Sequence, residues 1–295
     1  MVEFKARLAR AAEAVERELE SLLPTGPELE HRLFDAMRYA VLAGGKRLRP
    51  FMVIASGEIF DLDMARSLRV AAAVELMHAY SLVHDDLPCM DDDDLRRGKP
   101  TVHVQFDEAT AMLAGNALLT LAFEVLADRK TSPDPEVRTD LVAGLARAAG
   151  GHGMVGGQAL DLWAEENQLD EAGTVRMQRL KTGEMIAFAG EAGAILARAR
   201  PQQRQALRMF AHDLGLAFQI TDDLLDVEGS AETVGKAVGK DADAGKATIV
   251  AMLGIEGARD RAILLSRQAE AHLANFGEKA NSLRAMCEFV ISRSN

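Results

Sequence analysis

Apolar residues recur at helical spacing along nearly the whole chain, and polar residues fill the positions between them. The interruptions are short groups of glycine, proline and small polar residues at 24–27, 44–45, around Pro88, and at 98–100, 132–135 and 150–157. None of these groups is long enough to be a linker, and no repeat of solenoid period stands out. The pattern predicts an all-α protein of roughly ten or more helices in a single domain over residues 1–295.

Composition strengthens the helical prediction. Of the 295 residues, 48% are hydrophobic and only 5% are aromatic, while alanine, leucine, methionine, glutamate and arginine dominate and β-branched clusters are sparse. The dominant residues are good helix formers, and the aromatic and β-branched residues typical of strands are few. A chain of this length is also ample for a large buried core.

The segment VHDDLPCMDDDD (83–94) places six aspartates within ten residues. The preceding stretch contains no glycine or proline, so it predicts one long helix running into Asp85. Pro88 lacks a backbone N–H and disfavours helical geometry at Leu87, so the helix should end or kink there. That break would let Asp91 curl back towards Asp85.

A second acidic cluster lies far downstream in FQITDDLLD (218–226). Asp222 and Asp226 are four residues apart on a predicted helix, so they share a face with Asp223 on its flank. A solvated helix face is the alternative for either cluster alone. Two clusters that face one cavity would instead form an all-oxygen Mg²⁺ site, and Mg²⁺ prefers a few carboxylates together with substrate phosphates. The pair therefore predicts a diphosphate substrate.

Cationic residues beside glycine-bearing turns fit such a substrate, because arginine forks, lysine charges and turn N–H groups bind phosphate. Each group alone has a structural or solvated alternative. A lone histidine such as His78 is also more often a core residue than a ligand. The groups are GGKRLRP (44–50), Arg96-Arg97-Gly98, Lys181-Thr182-Gly183, and the lysines Lys236, Lys240 and Lys246.

The formal net charge of −11 and the pI of about 5.2 exclude a basic field that would attract nucleic acid or an anionic membrane. Residues 111–127 approach the length of a membrane span, but a polar stripe favours a buried helix and no stable membrane insertion. Two cysteines are too few for a disulfide framework, and the N-terminal residues lack the apolar core of a signal peptide. We expect a cytoplasmic protein.

The ordered motifs resemble those of the trans-prenyltransferase family, also called the polyprenyl synthases. The resemblance covers nearly the whole chain. It rests on GGKRLRP (44–50), HAYSLVHDDLPCMDDDDLRRGKPT (78–101), GMVGGQALDL (153–162), KTG (181–183), FQITDDLLD (218–226) and GKDADAGKAT (239–248). It implies the isoprenoid-synthase fold, in which helices surround a deep central cavity, and a homodimer. The implied reaction is the Mg²⁺-dependent head-to-tail condensation of isopentenyl diphosphate with dimethylallyl or geranyl diphosphate, giving farnesyl diphosphate.

The resemblance also implies roles for individual residues. By motif position, the ligands of about three Mg²⁺ ions are Asp85, Asp86, Asp91, Asp222, Asp223 and Asp226. The isopentenyl diphosphate site would comprise Lys46, Arg49, His78 and Arg97. The allylic diphosphate and its forming cation would contact Arg96, Lys181, Thr182, Gln219, Lys236 and Lys246. Catalysis would rest on the Asp85, Asp86, Asp91, Asp222 and Asp223 carboxylates with Arg96 and Lys181. Tyr80 and Ser81 are the candidates that limit product length.

Several alternatives remain open at this point. A geranylgeranyl diphosphate synthase would share the chemistry in a deeper pocket, and an inactive regulatory subunit of a prenyl-synthase pair would share the fold. A terpene cyclase would not need the second diphosphate site that GGKRLRP and Arg97 indicate, and an acidic metal binder would leave the basic motifs unexplained. One departure from the family pattern is Val250, at a place where relatives commonly have proline.

Overall fold

The computed structural model describes residues 1–27, 29–228 and 249–292, so Lys236, Lys240 and Lys246 lie outside the described residues. The α-helices are α1 (Val2–Leu22), α2 (His31–Val41), α3 (Leu48–Glu58), α4 (Met64–Asp85), α5 (Val102–Gln105), α6 (Glu108–Ala127), α7 (Pro135–Ala149), α8 (Met154–Glu166), α9 (Glu171–Gln178), α10 (Glu184–Leu196), α11 (Pro201–Glu228), α12 (Ile249–His272) and α13 (Asn281–Ile291). A π-helix (Arg179–Gly183) joins α9 to α10, and a 3₁₀-helix (Ala274–Ala280) precedes α13.

The described residues confirm the prediction of an all-α fold. The strands that occur among them are β1 (Leu95–Arg96) and β2 (Lys99–Pro100), which pair antiparallel across the Arg97-Gly98 turn. Both residues of that turn have positive φ, which fits a tight reversal of the chain. The small hairpin thus positions Arg96 and Arg97 directly after the acidic segment.

Side-chain caps define where several helices begin. Asp63, Asp107, Asp134 and Asp170 each accept a hydrogen bond from a backbone N–H in the first turn of α4, α6, α7 and α9 respectively. Pro135 occupies the first turn of α7, where its missing N–H costs nothing. Such caps typically stabilise a helix by about 1 kcal/mol.

The core is built around α10, in which every residue is buried. It packs against α3, α7 and α11, while α4 packs against α3 and α6, and α12 packs along α11. Two buried glutamates of α10 are neutralised by α11. Glu191 pairs with Arg204 and Arg208, and Glu184 pairs with Arg208. These ion pairs join α10 to α11.

Helix α6 is long and apolar enough to cross a membrane, and it is the one helix of that kind in the described part of the chain. It packs against α4 and α2, yet only 39% of its most apolar window is buried. Met112 and Leu113 are exposed on its outer side. The prediction of a buried helix for 111–127 is therefore right for one side of α6 only, because α6 is apolar around most of its circumference.

Val250, where relatives commonly have proline, lies in the first turn of α12 and is buried. Proline is tolerated in the first turn of a helix because the N–H groups there have no intrahelical partner. The valine therefore fits this position without changing how α12 starts. The predicted contact of Lys246 lies outside the described residues.

Candidate active site

A cavity of about 440 Å³ opens between α3, α4, α6, α8 and the π-helix. Its polar part is formed by Arg49, His78, Asp85, Gln158, Lys181 and Thr182. The remainder is largely apolar and is lined by Leu82, Leu87, Met90, Met112, Met154, Val155, Leu162 and Met185, with Tyr80 and Ser81 on α4. A concave site with a few convergent polar groups and an apolar remainder is typical of a small-molecule site.

The first acidic cluster is folded back on itself, as the position of Pro88 predicts. Helix α4 ends at Asp85, and the N–H of Asp91 donates to the backbone oxygen of Asp85 over 2.8 Å. The turn thereby brings Asp91 close enough for its charge to act on Asp85. Asp91 and Asp85 lie six positions apart and would not align on a straight helix.

The electrostatics of Asp85 favour a bound cation. Burial raises the pKa of Asp85 to about 6, the Lys181 ammonium opposes this shift, and the charge of Asp91 adds to it. A cation placed between these carboxylates would favour the ionised form of Asp85 and so offset both the burial and the repulsion that raise its pKa. Asp85 lines the cavity and is the member of the cluster best placed to reach a ligand there.

Asp86 has a different environment from Asp85. It is 3% exposed, and Arg96 Nε lies 2.7 Å and 2.9 Å from its two carboxylate oxygens. Asp93 lies 3.7 Å from Arg96 and adds a second carboxylate. The structure thus joins two predicted site residues, Asp86 and Arg96, to each other. The predicted metal role of Asp86 requires that it share its oxygens with Arg96.

In the second cluster, α11 continues through Asp222, Asp223 and Asp226. Asp223 is buried, Gln219 Nε2 donates to its Oδ1 over 2.8 Å, and Gln178 Nε2 of α9 donates to its Oδ2 over 3.4 Å. Asp222 and Asp226 are only partly buried. The two amides hold Asp223 from both sides, and this network leaves Asp222 as the more accessible carboxylate of the adjacent pair.

Arg49 interacts with residues of both α4 and α11. Its Nη1 lies 3.5 Å from His78 Nε2 on α4, and its charge interacts with Asp222 on α11. Burial lowers the pKa of Arg49, and the carboxylates of Glu75 and Asp222 oppose that shift. Helices α4 and α11 therefore present their functional faces to a shared arginine.

His78 is uncharged in this environment. Burial, followed by the positive charge of Arg49 and Arg97, holds its pKa well below its usual range. A neutral imidazole offers one acceptor nitrogen, and Nε2 faces the Arg49 guanidinium at 3.5 Å. The ring thus orients Arg49 by accepting from it, without adding another positive charge to the group.

The Arg97 guanidinium packs directly against the Gly44-Gly45 turn. The Arg97 guanidinium donates to the backbone oxygen of Gly44, and a Cβ placed on Gly45 would lie 2.8 Å from Arg97 Nη1. Gly45 also has φ of +135°, which side-chain-bearing residues rarely adopt. Lys46 follows on the exposed side of the turn. The structure thus brings Lys46, Arg49, His78 and Arg97 into one region.

The π-helix presents Lys181 and Thr182 to the cavity. Lys181 Nζ forms an ion pair with Asp161 of α8. A Cβ on Gly157 of α8 would collide with the backbone of Lys181, so only glycine permits this close approach. Gly157 and Asp161 belong to the GMVGGQALDL motif, but the sequence alone predicts no role for either residue.

At the apolar end, the Tyr80 ring packs edge to face against His84, with the ring centroids 5.0 Å apart. His84 Nε2 in turn donates to the backbone oxygen of Met112 over 3.1 Å. Ser81 Oγ donates to the backbone oxygen of His78. Tyr80 thus lines the cavity and is linked through His84 to Met112 of α6. Its role in product length stays a prediction.

Within the described ranges, no group of three or more histidine, cysteine, aspartate or glutamate side chains is close enough to hold a metal ion by itself. The donor set still fits Mg²⁺, because Asp85, Asp91 and Asp222 offer only hard oxygen ligands. Mg²⁺ commonly takes a minority of its ligands from protein and the rest from phosphate and water. The metal roles of the six aspartates stay predictions.

Comparison with known proteins identifies the family. The sequence profile named polyprenyl synthetase matches residues 30–286. The chain belongs to the polyprenyl synthetase family. This confirms the resemblance found in the sequence motifs, and the family's prenyltransferase chemistry is compatible with the cavity described above.

Three relatives of this polyprenyl synthetase span nearly its whole length. Farnesyl diphosphate synthase of Geobacillus stearothermophilus is 45% identical over 90% of this chain and 89% of its own. Geranylgeranyl pyrophosphate synthase 9 of Arabidopsis thaliana, a chloroplastic protein, is 42% identical over 99% of this chain and 82% of its own. The crystal structure of an FPP/GFPP synthase from Zymomonas mobilis is 47% identical, with a TM-score of 0.91 over 98% of this chain and 99% of that chain.

Replacement of Gly157 by alanine tests the packing that positions Lys181. We expect Gly157→Ala to lower stability by about 1–3 kcal/mol through overpacking and to reduce prenyl-transfer activity by at least about tenfold, because the π-helix must move. The matched control is Gly151→Ala, since a Cβ on Gly151 meets no atom within 4 Å. Urea unfolding and steady-state kinetics measure both effects. Full activity in Gly157→Ala would contradict this account of Lys181.

Proposed function

We propose that this polyprenyl synthetase condenses isopentenyl diphosphate with dimethylallyl or geranyl diphosphate, head to tail, to give farnesyl diphosphate and inorganic diphosphate. The observation that carries the proposal is the arrangement of charge around one cavity. The lining combines Asp85 beside Lys181, Arg49 beside His78, and a largely apolar remainder. Two anionic head groups and one hydrocarbon chain match these three regions.

The first chemical step is cleavage of the allylic C–O bond, in which the bonding electron pair leaves with diphosphate and an allylic cation remains. Bound Mg²⁺, held by Asp85, Asp91 and Asp222, would supply Lewis-acid stabilisation of the leaving oxygens. Lys181 adds a positive charge next to Asp85, at the position where negative charge accumulates. Thr182 places a hydroxyl dipole in the same cavity without a strong nucleophile.

Carbon–carbon bond formation follows when the double bond of isopentenyl diphosphate attacks the allylic cation. Arg49, Arg97 and Lys46 would hold the diphosphate of this second substrate, so that its double bond lies within attacking distance. The new cation then loses a proton, which we assign to the departing diphosphate. The low pKa of His78, which Arg49 already engages, gives it little capacity as a base.

Farnesyl diphosphate is the product that Tyr80 supports best. The ring lines the cavity on the helix that carries Asp85, and contact with His84 fixes its position. Longer products are compatible with the similar proteins, since one is a geranylgeranyl pyrophosphate synthase and another is an FPP/GFPP synthase. A deeper geranylgeranyl site is therefore the second candidate.

We further propose a cytoplasmic homodimer. The exposed apolar side chains of α6 and α8 that lie outside the cavity lining, Leu113 and Trp163, offer a surface that a second copy could cover. Cys89 and Cys287 are both free thiols, which fits a reducing compartment. A light-scattering mass near that of a single chain would contradict the dimer.

The proposed activity is tested by incubation with Mg²⁺, isopentenyl diphosphate and either dimethylallyl or geranyl diphosphate, followed by chromatography of the products. We expect farnesyl diphosphate from both allylic substrates and none without divalent cation. Geranylgeranyl diphosphate as the main product would favour the second candidate. Absence of any product with both substrates would contradict the enzyme proposal and favour a non-catalytic subunit.

Asp85→Ala and Asp222→Ala test the two acidic clusters separately. We expect each to reduce turnover by at least about 100-fold, because each removes a ligand that would position the metal and the leaving group, while far-ultraviolet circular dichroism stays unchanged. Asp260→Ala, which removes an exposed aspartate from α12, is the control. Wild-type turnover in either cluster variant at saturating Mg²⁺ would refute the metal assignment.

Tyr80→Ala tests the limit on product length. We expect a shift towards products at least one isoprene unit longer, because loss of the ring deepens the apolar end of the cavity. The other tyrosine, Tyr39, lies outside the cavity lining and donates to the backbone oxygen of Pro100, so Tyr39→Ala should leave product length unchanged. An unchanged product from Tyr80→Ala would remove Tyr80 from this role.

A further inference from the structure

An ion pair that the mechanism does not use lies directly behind the arginine group. Arg47 and Glu75 are 4% and 3% exposed, and Arg47 Nη1 donates to Glu75 Oε1. Their motif neighbours Lys46, Arg49 and His78 are substrate-site candidates, whereas Arg47 and Glu75 point into the protein. A buried ion pair is costly to form, so its presence next to a binding site requires an explanation.

Arg47 ties together three helices around the Gly44-Gly45 turn. Besides Glu75 of α4, it donates from Nη2 to the backbone oxygen of Val41 at the end of α2 over 2.7 Å, and Nη2 lies 3.4 Å from Glu16 Oε1 of α1. Its own backbone has φ of +49°, a left-handed conformation that is unusual for a residue with a side chain. With this backbone conformation the Arg47 side chain is buried, while the preceding Lys46 is exposed.

Glu75 also acts on the arginines that line the site. Its carboxylate opposes the burial effect on the pKa of both Arg49 and Arg97. Glu75 and His78 are three residues apart on α4 and therefore share a face. Arg47, Arg49, Arg96 and Arg97 all act on His78 electrostatically, so four like charges crowd the region. The Glu75 carboxylate reduces the mutual repulsion of these arginines.

We propose that Glu75 is a positioning residue for the diphosphate site: as the internal counter-ion of the arginine group, it holds Arg47 and thereby the turn that carries Lys46 and seats Arg97. This inference rests on the proposed function for the identity of the ligand. It concerns two residues that would never touch the substrate.

The two roles available to Glu75 predict opposite signs for anion binding. If its charge acted only through Coulomb repulsion of the ligand, Glu75→Gln would strengthen diphosphate binding. If it positions the arginines, Glu75→Gln weakens binding by at least about tenfold, the scale of a lost charge-assisted contact. The positioning role predicts the second result.

The probe is inorganic diphosphate titrated calorimetrically in the presence of EDTA and in a buffer without phosphate. Removal of divalent cations leaves the acidic clusters repulsive to the probe, so binding reports the arginine region. Glu191→Gln is the matched control, because Glu191 is also a buried glutamate paired with two arginines, but it lies on α10 outside the cavity lining. We expect Glu191→Gln to bind like the wild type.

A double variant separates binding from folding. Arg47→Met combined with Glu75→Met removes both buried charges. Its urea midpoint should therefore lie closer to the wild-type value than that of Glu75→Gln, which leaves the Arg47 charge without its counter-ion. Diphosphate affinity should stay at least about tenfold weaker, because the link to Val41 and the turn is lost. With both substrates, the KM for isopentenyl diphosphate should rise while the KM for the allylic diphosphate changes less than about threefold.

Wild-type affinity in both variants would overturn the inference, as would tighter binding in Glu75→Gln or no binding by the wild type. Equal increases of both KM values would indicate a general loss of structure and would also overturn it. Calorimetry needs no turnover, so a wild-type chain that binds diphosphate but forms no prenyl product counts against the proposed function alone.

Discussion

The pairing of buried charge is the constraint on which the site depends. Carboxylates and arginines of several helices lie beside one partly apolar cavity, where an uncompensated charge would be costly. The buried charges differ in how closely they are paired. Asp86, Lys181 and Arg47 have close partners within the chain, whereas Asp85 keeps a raised pKa beside Asp91. Asp86 and Arg47 are thus held within the protein by their partners, Asp85 lines the cavity, and Lys181 both pairs with Asp161 and lines the cavity.

This division explains how a protein with a net charge of −11 can bind diphosphates. The arginines are gathered by the Gly44-Gly45 turn, the hairpin at Arg97 and the buried carboxylate of Glu75, so the positive field is local. The acidic clusters would repel a free diphosphate and attract one that arrives with Mg²⁺.

The sequence was sufficient to predict the helical fold and the return of Asp91 to Asp85, because both follow from local chemistry: helical periodicity and a proline break. The different environments of Asp85 and Asp86 were not predictable, since Asp85 ends α4, Asp86 follows it, and only tertiary packing brings Arg96 to Asp86. Likewise, the roles of three helix residues could not be predicted, because their partners are distant in sequence. These residues are Asp161, Gln178 and Glu75, which contact Lys181, Asp223 and Arg47 respectively. The closely spaced glycines of GMVGGQALDL are the one sequence signal typical of the close contact that Gly157 makes with the backbone of Lys181.

We propose that the two acidic clusters bind Mg²⁺ together with a diphosphate and do not form a complete metal site by themselves. Thermal unfolding of the wild type and of Asp222→Asn with Mg²⁺, with inorganic diphosphate and with both tests it most directly, because a ligand that binds the folded state raises the midpoint. The account predicts that, in the wild type, the midpoint shift with both exceeds the sum of the separate shifts, and that Asp222→Asn abolishes this excess. Additive shifts in the wild type, or the same excess in Asp222→Asn, would contradict it.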